Sequence, residues 1–161
     1  RGLMGYTSRF LTLTKGTGVI NRLFHGYGKF EGEMDGRKNG ALISMATGKA
    51  VAFAIFNLQA RGEMFVTHND PVYEGMIVGL APKPGDMIIN VMKGKQLTNM
   101  RTQGTDENVV LTPVRQMSIA EQLSMLNTDE ALEITPKSLR LRKAILNPND
   151  RKKNEKSSTP L

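Results

Sequence analysis

Cysteine and tryptophan are absent, and histidine occurs only twice. Without cysteine there are no disulfides and no thiolate-ligated metal sites, which fits a reducing compartment. His25 and His68 are far apart and lack metal-ligand spacing, so each reads as a polar surface or turn residue. Aromatic residues make up only 6% of the chain, so its core must be largely aliphatic. The 161 residues, 39% hydrophobic, suffice for one ordinary domain, or one domain plus a fragment. No apolar run approaches the ~20 residues of a membrane span, and no signal peptide is visible. The chain starts at Arg1 rather than Met, which suggests a piece of a longer protein.

Catalytic constellations are missing too. There is no cysteine nucleophile, no recognisable local set of Ser, His and acid, and no acid-rich cluster of the kind that holds Mg²⁺. Asp106 and Glu107 are adjacent loop acids, a pattern that more often binds backbone amides or faces water. The fragment Thr47-Gly48-Lys49-Ala50 superficially resembles a phosphate-binding loop. It lacks the Ser or Thr after the lysine and the glycine five residues before the second one, which excludes that motif.

What is present is positive charge, unevenly placed. The net charge is +7, and the segment 137–161 holds eight basic residues against two acids. Six of the seven net charges therefore sit on a C-terminal arm, and the body is nearly neutral. A basic arm suits an anionic partner, or serves as a solubilising tail.

Periodicity places the elements. Tyr6, Phe10 and Leu13 share a helical face, with Gly16 as a C′ stop after Lys15. Residues 19–27 read as a strand, with Ile20 and Phe24 on one face. Residues 28–40 carry Gly28, Gly32, Gly36 and Gly40 and read as a linker. A strand over 41–45 precedes a mostly buried helix within 49–62, where Val51, Ile55 and Leu58 share a face. Strands follow over 63–67 and 74–80, joined by a turn at 68–71, and a turn at 82–86 leads into a strand over 86–92. Ser118 and Glu121 form a capping box, and the helix they open puts Ile119, Leu123 and Leu126 on one face. Asp129, Glu130 and Glu133 make an acidic patch around a short strand ending at Ile134. Residues 138–143 alternate Leu139 and Leu141 with Arg140 and Arg142, a half-buried strand with an arginine-bearing outer face. Asn147, Pro148 and Asp150 fit N-cap, N1 and N3 of a basic helix of one or two turns.

The function is expected in residues 93–107, between strands over 86–92 and 108–113. The stretch has two glycines, little apolar content and no sustained period, so it reads as a long loop, a rarity inside compact domains. Lys93, Lys95 and Arg101 alternate with Gln96, Thr98, Asn99, Thr102, Gln103 and Thr105. Cations with interspersed hydrogen-bonding groups suit a sugar–phosphate backbone. A solvated hairpin connection is the other reading, and composition alone favours it.

Four segments taken together are specific. They are Leu58-Gln59-Ala60-Arg61-Gly62, Val72-Tyr73-Glu74-Gly75-Met76-Ile77-Val78-Gly79, Lys95-Gln96-Leu97-Thr98-Asn99-Met100-Arg101 and Gly104-Thr105-Asp106-Glu107. They closely resemble the C-terminal part of the BipA (TypA) translational GTPases, and the match covers essentially the whole chain. The opening through Gly18 resembles the second half of the ferredoxin-like domain V shared with elongation factor G. The resemblance implies an α+β fold. Residues 1–30 would be the incomplete half of domain V and 31–39 a linker. Residues 40–146 would be a β-rich BipA-type C-terminal domain with a few helices and one long functional loop, and 147–161 a basic helix and disordered tail.

The resemblance also implies a cytoplasmic, ribosome-associated protein of large-subunit assembly and stress adaptation. Its partners would be the ribosome, large-subunit rRNA and the acceptor end of A-site tRNA, with neither membrane nor DNA expected. GTP and Mg²⁺ would belong to an N-terminal domain outside this chain, leaving the chain without cofactor or catalysis. The residues expected to touch RNA are Lys93, Lys95, Gln96, Thr98, Asn99, Arg101 and Thr105 of the loop, with Arg140, Arg142, Lys143, Arg151, Lys152 and Lys153 of the arm. The alternative is a protein–protein module that makes no RNA contact.

Overall fold

The computed structural model describes residues 6–30, 32, 37–94 and 110–158. The fold is α+β and rich in short strands. At its centre is a four-stranded sheet of β1 (Ala41–Ser44), β3 (Glu63–Met64), β5 (Ile77–Leu80) and β6 (Met87–Ile89), in the order β3-β5-β1-β6. β1 is antiparallel to β5 and parallel to β6, and β3 is antiparallel to β5. β2 (Gly48–Lys49) and β4 (Pro71–Val72) pair as a second small ladder, a pairing too short to leave a periodic signal.

Side chains alternate across a strand, and both faces of β1 are buried, so the central sheet is covered on two sides. On one side Leu42 and Val78 meet Ala54, Ile55 and Leu58 of α2 (Ala52–Gln59). On the other, Ala41, Ile43 and Ile77 meet Leu141 of the hairpin β7 (Glu130–Ile134) and β8 (Leu139–Lys143). Three layers result: helix, sheet, hairpin. Fully burying one of these Leu or Ile side chains contributes roughly 1.5–3 kcal/mol. Gly75 lets the layers meet: its φ is +82°, and a Cβ there would lie 2.7 Å from Leu146 Cα.

The helix expected within 49–62 forms, and its N-terminus has an unforeseen partner. Its N-cap, Val51, has no side-chain acceptor; instead His68 Nδ1 accepts from the Ala52 N–H at 3.2 Å. The N-cap half of the capping box forms, with Ser118 Oγ accepting from the Glu121 N–H at the start of α3 (Ile119–Met125), while the Glu121 carboxylate pairs with Arg115. The expected apolar face of α3 is not the buried one. Gln122 is buried while Ile119 and Leu123 are exposed, because Leu126, just beyond the helix, fills the place against Ile43 and Leu141.

Three other expectations change. α1 (Tyr6–Leu13) ends in a Schellman turn with Lys15, not Gly16, at C′. Lys15 has φ +51° and its N–H bonds Thr12 O at 3.2 Å, while the Gly16 N–H reaches Leu11 O at 2.7 Å. Residues 19–27 form no strand, and Leu23, Phe24 and Tyr27 are exposed. A strand needs a ladder partner, and none is found among the described residues. α4 (Pro148–Ser158) runs to eleven residues, three turns rather than one or two. Asn147 Oδ1 caps it by accepting from the Asn149 N–H at 2.9 Å. The tail residues 159–161 lie outside the described residues.

Candidate nucleic-acid interface

Both flanks of residues 93–107 are held by α2. At the outgoing flank the Val51 N–H, at the start of α2, donates to Val91 O at 2.9 Å, and Val91 is fully buried. At the returning flank Gln59, the last residue of α2, holds Thr112 from both sides. Gln59 Nε2 donates to Thr112 O at 3.1 Å, and the Thr112 N–H donates to Gln59 Oε1 at 3.3 Å. Eight helical residues span about 12 Å, so residues 91 and 112 are held at opposite ends of a short helix that buries one face, Ala54, Ile55 and Leu58. Residues 110–113 form no strand, which corrects the expected second flank: the Gln59 carboxamide takes the place of a ladder partner. Lys95, Gln96, Thr98, Asn99, Arg101 and Thr105 lie outside the described residues.

Lys93 is exposed at the outgoing root. A second cation joins it: Arg61, exposed just beyond α2. With Asn57 and Asn90 these two line a shallow depression of about 370 Å³ between α2 and β6. In the sequence Arg61 stood only within a segment that carries the family resemblance, outside the residues expected to touch RNA.

The arginines of β8 are half-buried on the opposite side of the sheet from this root. Arg140 Nη1 lies 3.6 Å from Glu133 Oε1, and Arg142 Nη1 donates to Lys143 O at 3.2 Å. Beside them Tyr73 Oη donates to Glu133 Oε2 at 2.5 Å. Burial, the hydrogen bond to Glu133 and the charge of Glu133 push the Tyr73 hydroxyl up to about 12.

Lys143, expected to touch RNA, is enclosed within the fold. It is 1% exposed, and its Nζ lies 2.5 Å from Asp86 Oδ2, 2.6 Å from Asp129 Oδ2 and 3.1 Å from Glu130 Oε1. Glu130 is also held by Arg37, at 2.8 and 3.1 Å. The expected acidic patch is therefore largely neutralised within the fold. Burial acts to lower the Lys143 pKa, but its hydrogen bonds to Asp129 and Asp86 and the charge of Glu130 outweigh it, and the pKa rises. Burial acts to raise the Asp86 pKa, but the hydrogen bonds from Lys143 and from the Ala41 N–H outweigh it, and the pKa falls. The signal for this role was in the sequence: Lys143 shares the inward parity of Leu139 and Leu141.

In α4, Arg151 is partly committed to the fold. Its Nη1 donates to Ile145 O at 3.0 Å and Leu146 O at 2.7 Å, securing the turn into the helix. Lys152 and Lys153 are exposed, and Lys153 has only a loose 3.6 Å pair with Asp150. The described candidates are thus Lys93 at the loop root, Arg140 and Arg142 on the hairpin, and Lys152 and Lys153 on α4. The loop root and the hairpin lie on opposite faces of the sheet and do not make one patch. Among the described residues no group of His, Asp and Glu could hold a metal, and no helix is long and apolar enough to cross a membrane.

The family model of the TypA/BipA C-terminal domain matches residues 39–148. The chain belongs to the TypA/BipA C-terminal domain family. It is 48% identical, over its whole length, to the protein named large ribosomal subunit assembly factor BipA of Buchnera aphidicola subsp. Schizaphis graminum. Proteins of the same name from Salmonella typhimurium and Haemophilus influenzae are 47% and 43% identical over 95% and 99% of the chain. The chain spans about a quarter of the length of these BipA relatives, 27%, 25% and 26% respectively.

Proposed function

We propose that this chain is the ribosome-docking region of a BipA-type translational GTPase and acts by binding, not catalysis. The observation that carries the reading is its likeness, along its full length, to proteins named as large ribosomal subunit assembly factors. In this reading the chain docks on large-subunit rRNA. The loop of residues 93–107 extends from α2 to the acceptor end of A-site tRNA. The strapping of both loop ends to one buried helix supports this, because a basic loop on a rigid base presents its donors with less loss of conformational freedom. Lys93 and Arg61 add phosphate contacts at the root. Lys95 and Arg101 supply charge further out, and Gln96, Thr98, Asn99 and Thr105 supply amides and hydroxyls for sugar and base edges, including the 2′-OH. Arg140, Arg142, Lys152 and Lys153 give a second, less specific attraction to phosphate. GTP and Mg²⁺ belong to the rest of the whole protein, which works in the cytoplasm in translation regulation, subunit assembly and stress adaptation.

The deciding experiment is lysine- and arginine-directed crosslinking of the full chain to purified ribosomal subunits, with the RNA partner mapped. Crosslinks from Lys95 and Arg101 to large-subunit rRNA or tRNA are expected. Preferential crosslinking to the small subunit would refute the reading.

A further inference from the structure

A cleft of about 750 Å³ opens between β8, β5 and the segment that runs into α3. Phe65, Ile77 and Met117 give it apolar walls. Its floor is the outer edge of β8. The ladder of β8 fixes which main-chain groups face that edge. Ala144 N–H bonds Asp129 O and Thr135 N–H bonds Ser138 O, so Arg140 and Arg142 exchange bonds with β7 in the alternating pattern of an antiparallel pair. Leu139 and Leu141 therefore turn their main-chain groups away from β7. Lys143, of the same parity, uses its N–H on Gly75 O at 2.9 Å, and the bridge between Met76 and Arg142 marks where β8 touches the central sheet. That antiparallel bridge also sets Leu141 O against the Ile77 N–H, so the part of the β8 edge left to the cleft is that of Leu139.

Two further observations point the same way. Gln122 lines the cleft at 8% exposure, and its Oε1 is buried without a hydrogen-bond partner, while its Nε2 donates to Met117 O at 3.4 Å. A buried acceptor without a donor is unfavourable, and a ligand N–H relieves it. Among the described residues the charged members of the lining are Arg115, Lys137 and Arg140, with no carboxylate. Arg115 is paired with Glu121 and Glu63, and Arg140 lies near Glu133, which leaves Lys137, exposed on the hairpin turn, as the freest cation of the lining.

We propose that this cleft binds an extended, acidic segment of a protein partner, added as a strand beside Leu139 on the edge of β8. Strand addition uses the open main-chain groups for affinity, and the apolar walls accept alternate side chains of the incoming segment. The donor that Gln122 Oε1 lacks comes from that segment. A carboxylate of the segment meets Lys137. RNA fits less well, because Phe65 is the one aromatic ring among the described lining residues on which a base could stack. This surface is separate from the loop root and does not depend on the RNA reading.

The test uses the full chain and short fluorescent peptides in which Val, Leu, Ile or Phe alternate with Asp and Glu. A control replaces the acids with Lys, and a single-stranded RNA serves as competitor. Saturable binding of the acidic peptides is expected, with slowed exchange of the Leu139 amide and binding several-fold weaker for the control. N-methylation of alternate peptide amides should abolish binding in one register and spare it in the other. Lys137→Glu, on an exposed turn, should weaken the acidic peptides and strengthen the control. Absence of saturation, or N-methylation effects without register, would overturn the proposal. So would displacement by RNA with protection of the same Leu139 amide. Dimers that protect Leu139 without peptide would assign the cleft to a second copy and overturn it equally.

Discussion

Gln59 and Thr112 are joined by two hydrogen bonds, of 3.1 and 3.3 Å, through a side chain that imitates a strand neighbour. Residue 112 thereby returns to the end of α2 without any ladder. Gln59→Glu keeps an acceptor and loses the donor, and Gln59→Ala loses both. Amide exchange at Thr112 should quicken moderately in the first variant and strongly in the second. Global stability should fall by only about 0.5–1.5 kcal/mol, since the pair is exposed. If Thr112 exchange is unchanged in Gln59→Ala, the strap does not hold the loop.

Lys143 with its carboxylates is a different class of interaction. Removing one partner of a buried ion pair leaves uncompensated charge and costs about 3–5 kcal/mol. Lys143→Met should therefore lower the urea midpoint sharply with little change in m. Adding Asp86→Asn should restore part of the loss, because the two residues touch directly and their effects couple. Additive losses would mean that the two groups act independently.

The same cluster sets the pH dependence. The Asp86 pKa is lower in the folded state, so its contribution is complete above the ordinary value of about 4 and is lost as pH falls through the folded value. The Lys143 pKa is raised, so its contribution is complete below about 10.4 and is lost as pH rises through the folded value. Stability should be flat through neutrality and fall on the acid side below about pH 4. Asp86→Asn should be less stable at neutrality and show a shallower acid limb. An unchanged acid limb would remove Asp86 from the explanation.

The parts of the fold that could be read in the sequence are those with a strong local signal. The shared face of Val51, Ile55 and Leu58 marked α2, Ser118 and Glu121 marked the start of α3, and the alternation of Leu and Arg marked β8. The parts that could not are those decided by distant partners. Whether 19–27 becomes a strand depends on another strand to pair with, and its own pattern is silent on that. The returning end of the loop is settled by Gln59, more than fifty positions earlier. At the candidate site, residue type flagged Lys143 as a phosphate ligand, while its parity with Leu139 and Leu141 put it inside. Parity won because three carboxylates converge on that inner position from the β6 and β7 sides.

Tyr73 offers a spectroscopic check on the hairpin. Its hydroxyl, held by Glu133, should ionise only near pH 12. A chain carrying Tyr6→Phe and Tyr27→Phe isolates it, and tyrosinate absorbance follows its titration. Glu133→Gln removes the neighbouring charge and should bring the midpoint down. Because the raised pKa favours the neutral form in the fold, stability from this hydrogen bond is kept at lower pH and disappears as pH rises through about 12. A midpoint near 10 in the isolating variant would mean that the hydroxyl is not held.

The last prediction separates the loop from the arm. Arg151 serves the turn into α4, so an alanine set that includes it mixes folding with binding. The clean arm variant is Lys152→Ala with Lys153→Ala, both exposed. It should weaken binding to every single-stranded RNA, reducing the slope of log affinity against log salt by about 0.7 for each phosphate no longer neutralised. The loop variant replaces Lys95, Asn99 and Arg101 with Ala. Positioned, charge-assisted hydrogen bonds of ~1.5–3 kcal/mol fix placement more than bulk attraction. Association with the large subunit in co-sedimentation should therefore fall further than affinity for random RNA. A loop variant that loses both equally, or loses neither, would reduce residues 93–107 to a solvated connection and leave the arm as the only part of the chain that meets RNA.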